Sequence, residues 1–581
     1  MKGKLMKRRV LCLFLVFCLF LTGCSGISLG KSEGERFDEY TEAIFKEEIA
    51  QNTINLHYTL AYPENYGITD YDISLGEFTM EDFEDSADEL EKMKKELERF
   101  DRSRLNEEQK LTYDLFMDYV DTELPVADLY LYTELLSPLK GYQSSLPVLL
   151  AEYTFRKKQD IEDYLLLLEE IDDVFENIMV FEKAKADAGL FMPDFAIDGT
   201  IEQCEQFIED PENNYMIEVF NDKIDAFSGL SEEEKDAYKE RNKTLITTEV
   251  VDGYQMLIEE LSDLKGSGVN DRGLYYYDDG VRYYEYLIRT SVGTDESVED
   301  LQERTWDYIL SCFMNMYESM EENPDVYDGL YDYEYPLTDP DEIMKDLMEK
   351  TKEDFPVPPE VDYTIKYVHP SMEEHESPAF YLTPPIDDIE NNVIYINRKD
   401  LDDEIYTTIA HEGYPGHLYQ TVSTSEHGLS LARNLFSYSG YSEGWATYVE
   451  MYSYGISGLD EDVADILAWE NGVNLGISAY IDMGIHYDGW DLDDVKDFLA
   501  DFGIEDGETS KEIYELIVEE PSYYLTYFIG YLELLELRDK AENKLKEDFT
   551  LKDFHKFIIE IGPAPFYIIE DRMDDWIREQ K

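Results

Sequence analysis

Between about residues 36 and 290 apolar residues recur at intervals of three and four, in runs such as 87–100, 107–122, 161–186 and 232–264. That period is the mark of amphipathic helices and predicts a helical N-terminal lobe over residues 36–290. The many acidic positions between the apolar ones read as solvated helix faces. After Pro356 the texture changes: residues 361–368 alternate apolar and polar, and 379–382 and 393–397 are short aromatic and β-branched runs. These predict short strands inside a second lobe, residues 291–581. An exposed strand edge can pair with an extended peptide through main-chain hydrogen bonds, which makes Tyr395, on the last of these strands, a candidate substrate contact.

Two further helices are predicted behind the strands. Over residues 404–413, Ile405 and Ile409 are spaced by four, Asp402 or Asp403 is placed to cap, and His411 and Glu412 fall on the last turn. Over residues 442–454, Glu443 and Glu450 lie close to two full turns apart and so share a face, while Trp445, Tyr448, Val449 and Tyr452 are available to pack. The run His411-Glu412-Gly413-Tyr414-Pro415-Gly416-His417 followed by Ser442-Glu443-Gly444-Trp445-Ala446 has the residue types of a hydrolytic zinc centre. Two neutral imidazoles and a carboxylate hold the ion, and a second glutamate is left to handle the proton of a water molecule. The spacing is irregular. In the ordinary arrangement the histidines are four apart on one helix face; at about 100° per residue, a histidine at i+6 points elsewhere. Proline and glycine at 415 and 416 are placed to distort the helix, by a kink or a wide turn, and bring His417 back toward His411. Glu450 is then a candidate acceptor for the other ring nitrogen of a metal-bound histidine.

The start of the chain has a different role. Lys2, Lys4, Lys7, Arg8 and Arg9 precede an apolar run over residues 10–21 that ends in Leu21-Thr22-Gly23-Cys24. Basic, apolar and small-residue regions in that order predict an export signal over residues 1–23, too short for a comfortable membrane span. The last four residues resemble the lipobox of bacterial lipoproteins, in which the cysteine becomes the lipid-modified first residue; Cys24 is then the membrane anchor and residues 24–35 a flexible tether outside the cytoplasm. Loss of residues 1–23 removes five positive charges and takes the formal net charge from −83 to −88. So acidic a chain does not suit nucleic acid, whose phosphates need a basic surface. Apart from Cys24, only Cys204 and Cys312 follow the signal, enough for at most one disulfide.

His-Glu-x-x-Pro-Gly-His followed by Glu-Gly-Trp-Ala-x-Tyr-x-Glu resembles the DUF885 family of bacterial proteins, often lipoproteins, read as zinc metallopeptidases and similar in outline to the gluzincin carboxypeptidases and oligopeptidases. Residues 273–275 and 289–291, 381–385, 527–530, 537–538 and 562–566 carry the same resemblance, so it spans most of the mature chain. It implies a mainly α, multi-helical, two-lobed metallopeptidase-like fold with a small antiparallel β-sheet beside the active site. It also implies one zinc ion on His411, His417 and Glu443, with Glu412 as general base, the same four residues that the chemistry selects. Tyr527, in one of the shared segments, is a candidate donor to the developing oxyanion. Arg433 and Arg538 are candidates for a substrate carboxylate. His369, His375, His427 and His486 lack a spacing that ties them to the metal. A peptide hydrolase is the leading expectation. A peptide- or metal-binding lipoprotein without chemistry, and a zinc amidohydrolase acting on a cell-wall or other amide, fit the same residues.

Overall fold

The computed structural model describes residues 30–580 except 77, 325, 327–329, 331–332, 369–372, 374–376 and 401–404. The export segment, Cys24, the Asp402 or Asp403 cap, His369 and His375 lie outside the described residues. The chain is mainly α-helical and divides into two compact units, one of residues up to Arg272 with Pro385–Asp388, the other of Gly273–Pro384 with Ile389–Lys581.

The first unit starts sooner than a tether reaching residue 35 allows. Ser32 and Glu35 exchange side-chain-to-backbone hydrogen bonds in a capping box that opens the helix Glu33–Ala50. The apolar run at 161–186 is two helices, Lys158–Glu169 and Ile171–Ala188, divided at Glu170. Their shared stripe of Ile161, Leu165, Leu168, Phe175 and Ile178 enters the core of this unit. The run at 232–264 is helical throughout but widens to a π-turn at Ile246–Val250. Cys204, in this unit, and Cys312, in the other, are both buried free thiols.

In the second unit the strands are β1 (Asp362–Tyr367), β2 (Ala379–Leu382) and β3 (Asn391–Ile396), in the order β1-β3-β2. β2 runs antiparallel to β3, but β1 runs parallel to it, so the expected antiparallel sheet is a mixed one. Alternation along a strand reports which residues share a face and carries no information about the direction of its partner.

The centre of this unit is the crossing of the helices Ser439–Tyr454 and Tyr523–Leu545. A Cβ on Gly444 would lie 2.3 Å from the Gly530 carbonyl carbon, and one on Gly530 would lie 2.3 Å from the Gly440 carbonyl oxygen. Backbone therefore packs directly on backbone, which only glycine permits. The helix Glu461–Met483 also packs on Val298–Glu322, where Gly472 leaves room for the Tyr308 side chain and Gly476 for that of Ile309.

Two buried histidines brace this unit. His486 accepts from the Leu274 N–H at 3.1 Å and donates to the Ile517 carbonyl at 2.9 Å. His555 donates to the Asp354 carbonyl at 2.7 Å and accepts from the Tyr448 hydroxyl at 3.0 Å. Each ring has one donor and one acceptor satisfied, so it is neutral, and burial pushes both pKa values down to about 4. In the unfolded chain a histidine protonates near 6.5. Between pH 6.5 and 4 the unfolded state therefore binds protons that the native state refuses, and each histidine's contribution is lost as the pH falls, to the extent of roughly 3 kcal/mol. Denaturant titrations of wild type and His486→Gln should show an advantage for wild type near neutral pH that shrinks by this amount across the window; a constant difference would contradict the neutral, buried assignment.

Candidate metal centre

The helix Ile405–Glu412 is buried along its whole length and ends at the residue that follows His411. The chain passes through Gly413–Gly416, with a cis peptide at Tyr414–Pro415, and a new helix, His417–Ser425, begins at the second histidine. The six-residue spacing is thus neither a kink nor a widened turn but a break between two helices. Gly416 makes the break possible, because a Cβ there would fall 1.7 Å from the His411 carbonyl oxygen. The chain doubles back over the helix end, and the imidazole rings of His411 and His417 come to 4.8 Å between centroids with their planes nearly perpendicular.

The glutamate helix closes the arrangement. Trp445, fully buried, donates its indole N–H to the Pro415 carbonyl at 2.9 Å, tying this helix to the turn between the histidines. Two residues earlier, Glu443 places its two carboxylate oxygens 3.6 Å from His411 Nε2 and 3.5 Å from His417 Nε2. One ligand atom from each of the three residues lies within 4.8 Å of the others, and together they could hold a metal ion. Ligands about 2.1 Å from a tetrahedral ion stand about 3.4 Å apart, close to these separations.

The electrostatics of the cluster suit a cation. Glu443 Oε2 is buried and accepts no hydrogen bond. Burial by itself would raise the Glu443 pKa, but the adjacent imidazoles of His417 and His411 hold it well below the usual carboxylate range. A buried carboxylate with an unsatisfied oxygen is costly unless a cation completes it. The neighbouring acids do not share this deficit. His411 Nδ1 donates to Glu450 Oε2 at 2.8 Å, and Asn471 donates to Glu450 Oε1 at 3.0 Å. That bond fixes the imidazole with its proton on Nδ1 and its Nε2 lone pair toward Glu443. Glu412 accepts the Tyr381 N–H at 2.9 Å, so its carboxylate lies against β2, a terminal strand of the sheet.

The other residues singled out above fall in several places. Tyr527 is buried with its ring nearly parallel to His411 at 6.4 Å, and its hydroxyl lies 3.3 Å from that of Tyr523, one helical turn away. Arg433 is 1 % exposed and donates to the Ile561 and Pro563 carbonyls at 2.7 and 3.0 Å. Its guanidinium holds the turn at Gly562 in the protein interior, which corrects the expectation of a substrate-facing arginine. Arg538 lies over the Tyr448 ring at 5.9 Å and donates to Asp539 at 3.2 Å, whereas Tyr448 is off the face that carries Glu443. Tyr395 stacks on Phe380 across the β2–β3 pair at 4.9 Å, and its hydroxyl accepts from Lys366 at 3.3 Å. His427 is exposed and 3.9 Å from Glu560, and His486 is the core histidine described above. Asn471 and Tyr523 were not anticipated; neither stands at a spacing that links it to the two motifs.

The family described as "Bacterial protein of unknown function (DUF885)" matches residues 63–573. No curated relative matches the chain. Two solved structures share the fold. "The putative lipoprotein from Colwellia psychrerythraea" superimposes with a TM-score of 0.82 at 17% identity, covering 94% of this chain and 100% of that one. A second from Shewanella oneidensis, likewise so described and of unknown function, gives a TM-score of 0.60 at 15% identity, covering 93% of this chain and 98% of that one.

Replacing Trp445 by Phe keeps the ring packing but strands the buried Pro415 carbonyl, a loss of about 1–3 kcal/mol in stability. His417 hangs on the same turn, so metal affinity should fall about tenfold or more, as is common when a supporting bond to a ligand is removed. Competition with a chromophoric chelator measures this; unchanged affinity in a folded variant would refute the coupling.

Proposed function

From the premise that the chain belongs to the DUF885 family of bacterial proteins, we propose that it is a zinc-dependent hydrolase of peptide bonds working at His411, His417, Glu443 and Glu412. The observation that carries this reading is the position of Glu412. It directly follows a histidine of the three-residue cluster, yet its own carboxylate is turned to the Tyr381 N–H and lies outside the metal-holding set, which supports reading it as the base. A pure binding site has no use for such a group.

Zinc bound by the three residues supplies a Lewis acid and brings the pKa of a water molecule toward about 7. Glu412 takes a proton from the attacking water and delivers it to the leaving nitrogen, so the C–N bond breaks to give a carboxylic acid and an amine. Glu450, steadied by Asn471, keeps the His411 proton on Nδ1 throughout. The Tyr527 phenol donates a hydrogen bond to the carbonyl oxygen as negative charge builds there. β2 lies beside Glu412 and has one side paired to β3, so its other side can align an extended peptide across the base.

We place this activity on the outer side of the cytoplasmic membrane, with Cys24 as the lipid anchor. The order of basic, apolar and Leu-Thr-Gly-Cys segments supports that placement, as do the descriptions of the two structural neighbours. Among the described residues no helix is long and apolar enough to cross a membrane.

Purified protein incubated with a mixed peptide pool and followed by mass spectrometry should cleave in the presence of zinc, stop on chelation and recover on zinc addition. Glu412→Gln should bind zinc as wild type does and lose at least about a hundredfold in turnover. Cleavage that survives in Glu412→Gln would remove Glu412 from the mechanism; a zinc-loaded wild type that leaves a broad pool intact would favour the binding lipoprotein instead.

A further inference from the structure

The outer face of the helix Val298–Glu322 carries a feature that has no part in the chemistry above. Its inner face is closed by Ile309 and Cys312, with Ile309 against Gly476. On the other side Trp306, Leu310, Phe313, Met314 and Tyr317 are exposed by 37, 43, 43, 62 and 68% respectively. At about 100° per residue these five fall in a single stripe roughly a quarter of the helix circumference wide. Beside the stripe, Phe498 and Phe502 stand one turn apart at the end of the helix Leu492–Asp501. Trp306 is 6.3 Å from each of these rings, and Phe313 stacks on Phe502 at 6.0 Å. The two elements thus form one continuous aromatic surface. Scattered exposed apolar residues need no explanation, but a contiguous patch of large ones on a soluble unit marks a contact surface.

The border of the patch says what fits it. Glu303, Asp307 and Glu318 flank the stripe on its own helix, and Asp497 and Asp501 flank the two phenylalanines; all five are exposed. Two copies of a chain with formal net charge −83 would bring like-charged rims together. An anionic lipid surface is repelled by the same carboxylates. A basic rim is attracted to them. The apolar side chains follow the ridge spacing of a helix and are flanked by the two phenylalanines of a second, a surface onto which another helix can lay its own apolar face.

We propose that this surface docks an amphipathic helix of a partner protein whose apolar face is bordered by lysine and arginine. It does not depend on the hydrolytic reading of the metal centre. The patch residues are surface residues, so Leu310→Glu combined with Met314→Glu leaves the fold intact, which circular dichroism and the metal titration verify.

The probe is a labelled 18-residue leucine–lysine peptide with helical amphipathic periodicity, compared by fluorescence anisotropy with a scrambled peptide of the same composition. Charge attraction is equal for the two, so any difference reads the ordered apolar face. The amphipathic peptide should bind wild type about tenfold more tightly than the scrambled one, and the double variant should abolish that advantage. Equal binding of the two peptides, or an advantage retained by the double variant, overturns the proposal. So does a wild-type dimer in sedimentation that the double variant dissolves, which makes the patch a self-interface, or co-flotation of the lipid-free protein with phosphatidylglycerol vesicles that the double variant loses, which makes it a membrane contact.

Discussion

The close crossing of Ser439–Tyr454 and Tyr523–Leu545 is the constraint on which the rest of the second unit depends. With Gly440, Gly444 and Gly530 in contact, the two helices approach more nearly than any side chain would allow. That approach puts Glu443, immediately before Gly444, and Tyr527, one turn before Gly530, beside the same His411 ring. Trp445, on the other flank of Gly444, reaches the Pro415 carbonyl and so fixes where the chain turns to His417. Three consecutive residues therefore divide the work: one presents a carboxylate, one removes bulk, and one anchors the opposing turn. The remaining shared segments close around this crossing. Gly440 packs on the Val292 carbonyl, the Gly293 carbonyl accepts from the Phe566 N–H, and Arg433 holds the carbonyls on either side of Gly562.

Within that frame the distribution of hydrogen bonds distinguishes three carboxylates of the same residue type. Glu450 has a donor on each oxygen, and Glu412 has a main-chain donor. Glu443 alone keeps a buried oxygen without one, and it is the carboxylate that two imidazole nitrogens approach. Partial satisfaction of a buried polar network is costly, so the deficit falls where a cation can repair it. The strongly negative chain favours cations of every kind in its surroundings. Choice among them rests on the donors: nitrogen ligands suit zinc and its transition-metal neighbours, whereas calcium and magnesium take oxygen.

Much of this was legible in the sequence because it depends on local periodicity. The helical runs, the three strands, the pairing of Glu443 with Glu450 on one face and the need for an interruption near Pro415-Gly416 all follow from spacing and from the conformational limits of proline and glycine. The form of the interruption was not legible. Whether a chain kinks or breaks is decided by what it packs against, and here the His411 carbonyl and Trp445 decide it, the latter from 30 residues away. Arg433 shows the same limit in reverse. An arginine just before the glutamate helix is a candidate for a substrate carboxylate, yet its partners are two main-chain carbonyls more than a hundred residues downstream. Asn471 and the parallel pairing of β1 with β3 are likewise long-range facts that leave no local trace.

The helix that carries Tyr527 also begins under strain, and the location of that strain is informative. Ser522 precedes it with φ 65°, a left-handed conformation that costs a non-glycine residue about 1–2 kcal/mol. Its N–H is held at 3.1 Å by the fully buried Asp482, which also accepts the Tyr284 hydroxyl at 2.6 Å, and its hydroxyl meets that of Ser291 at 3.1 Å. Ser291 lies in the π-turn Ile288–Val292, and Asp482 lies two residues before the π-turn Gly484–Asp488. Two widened turns and one left-handed serine thus converge on the first residue of a single helix. A helix placed only to fill the core would start from a relaxed cap. This one starts from a strained residue gripped by a buried carboxylate, so its rotation and height are set at its first turn, where Tyr523 and Tyr527 project, and again at Gly530, where it meets the glutamate helix. Such two-point fixing gives the Tyr523–Tyr527 hydroxyl pair a definite position relative to His411, the condition that a preorganised donor to a developing charge has to meet.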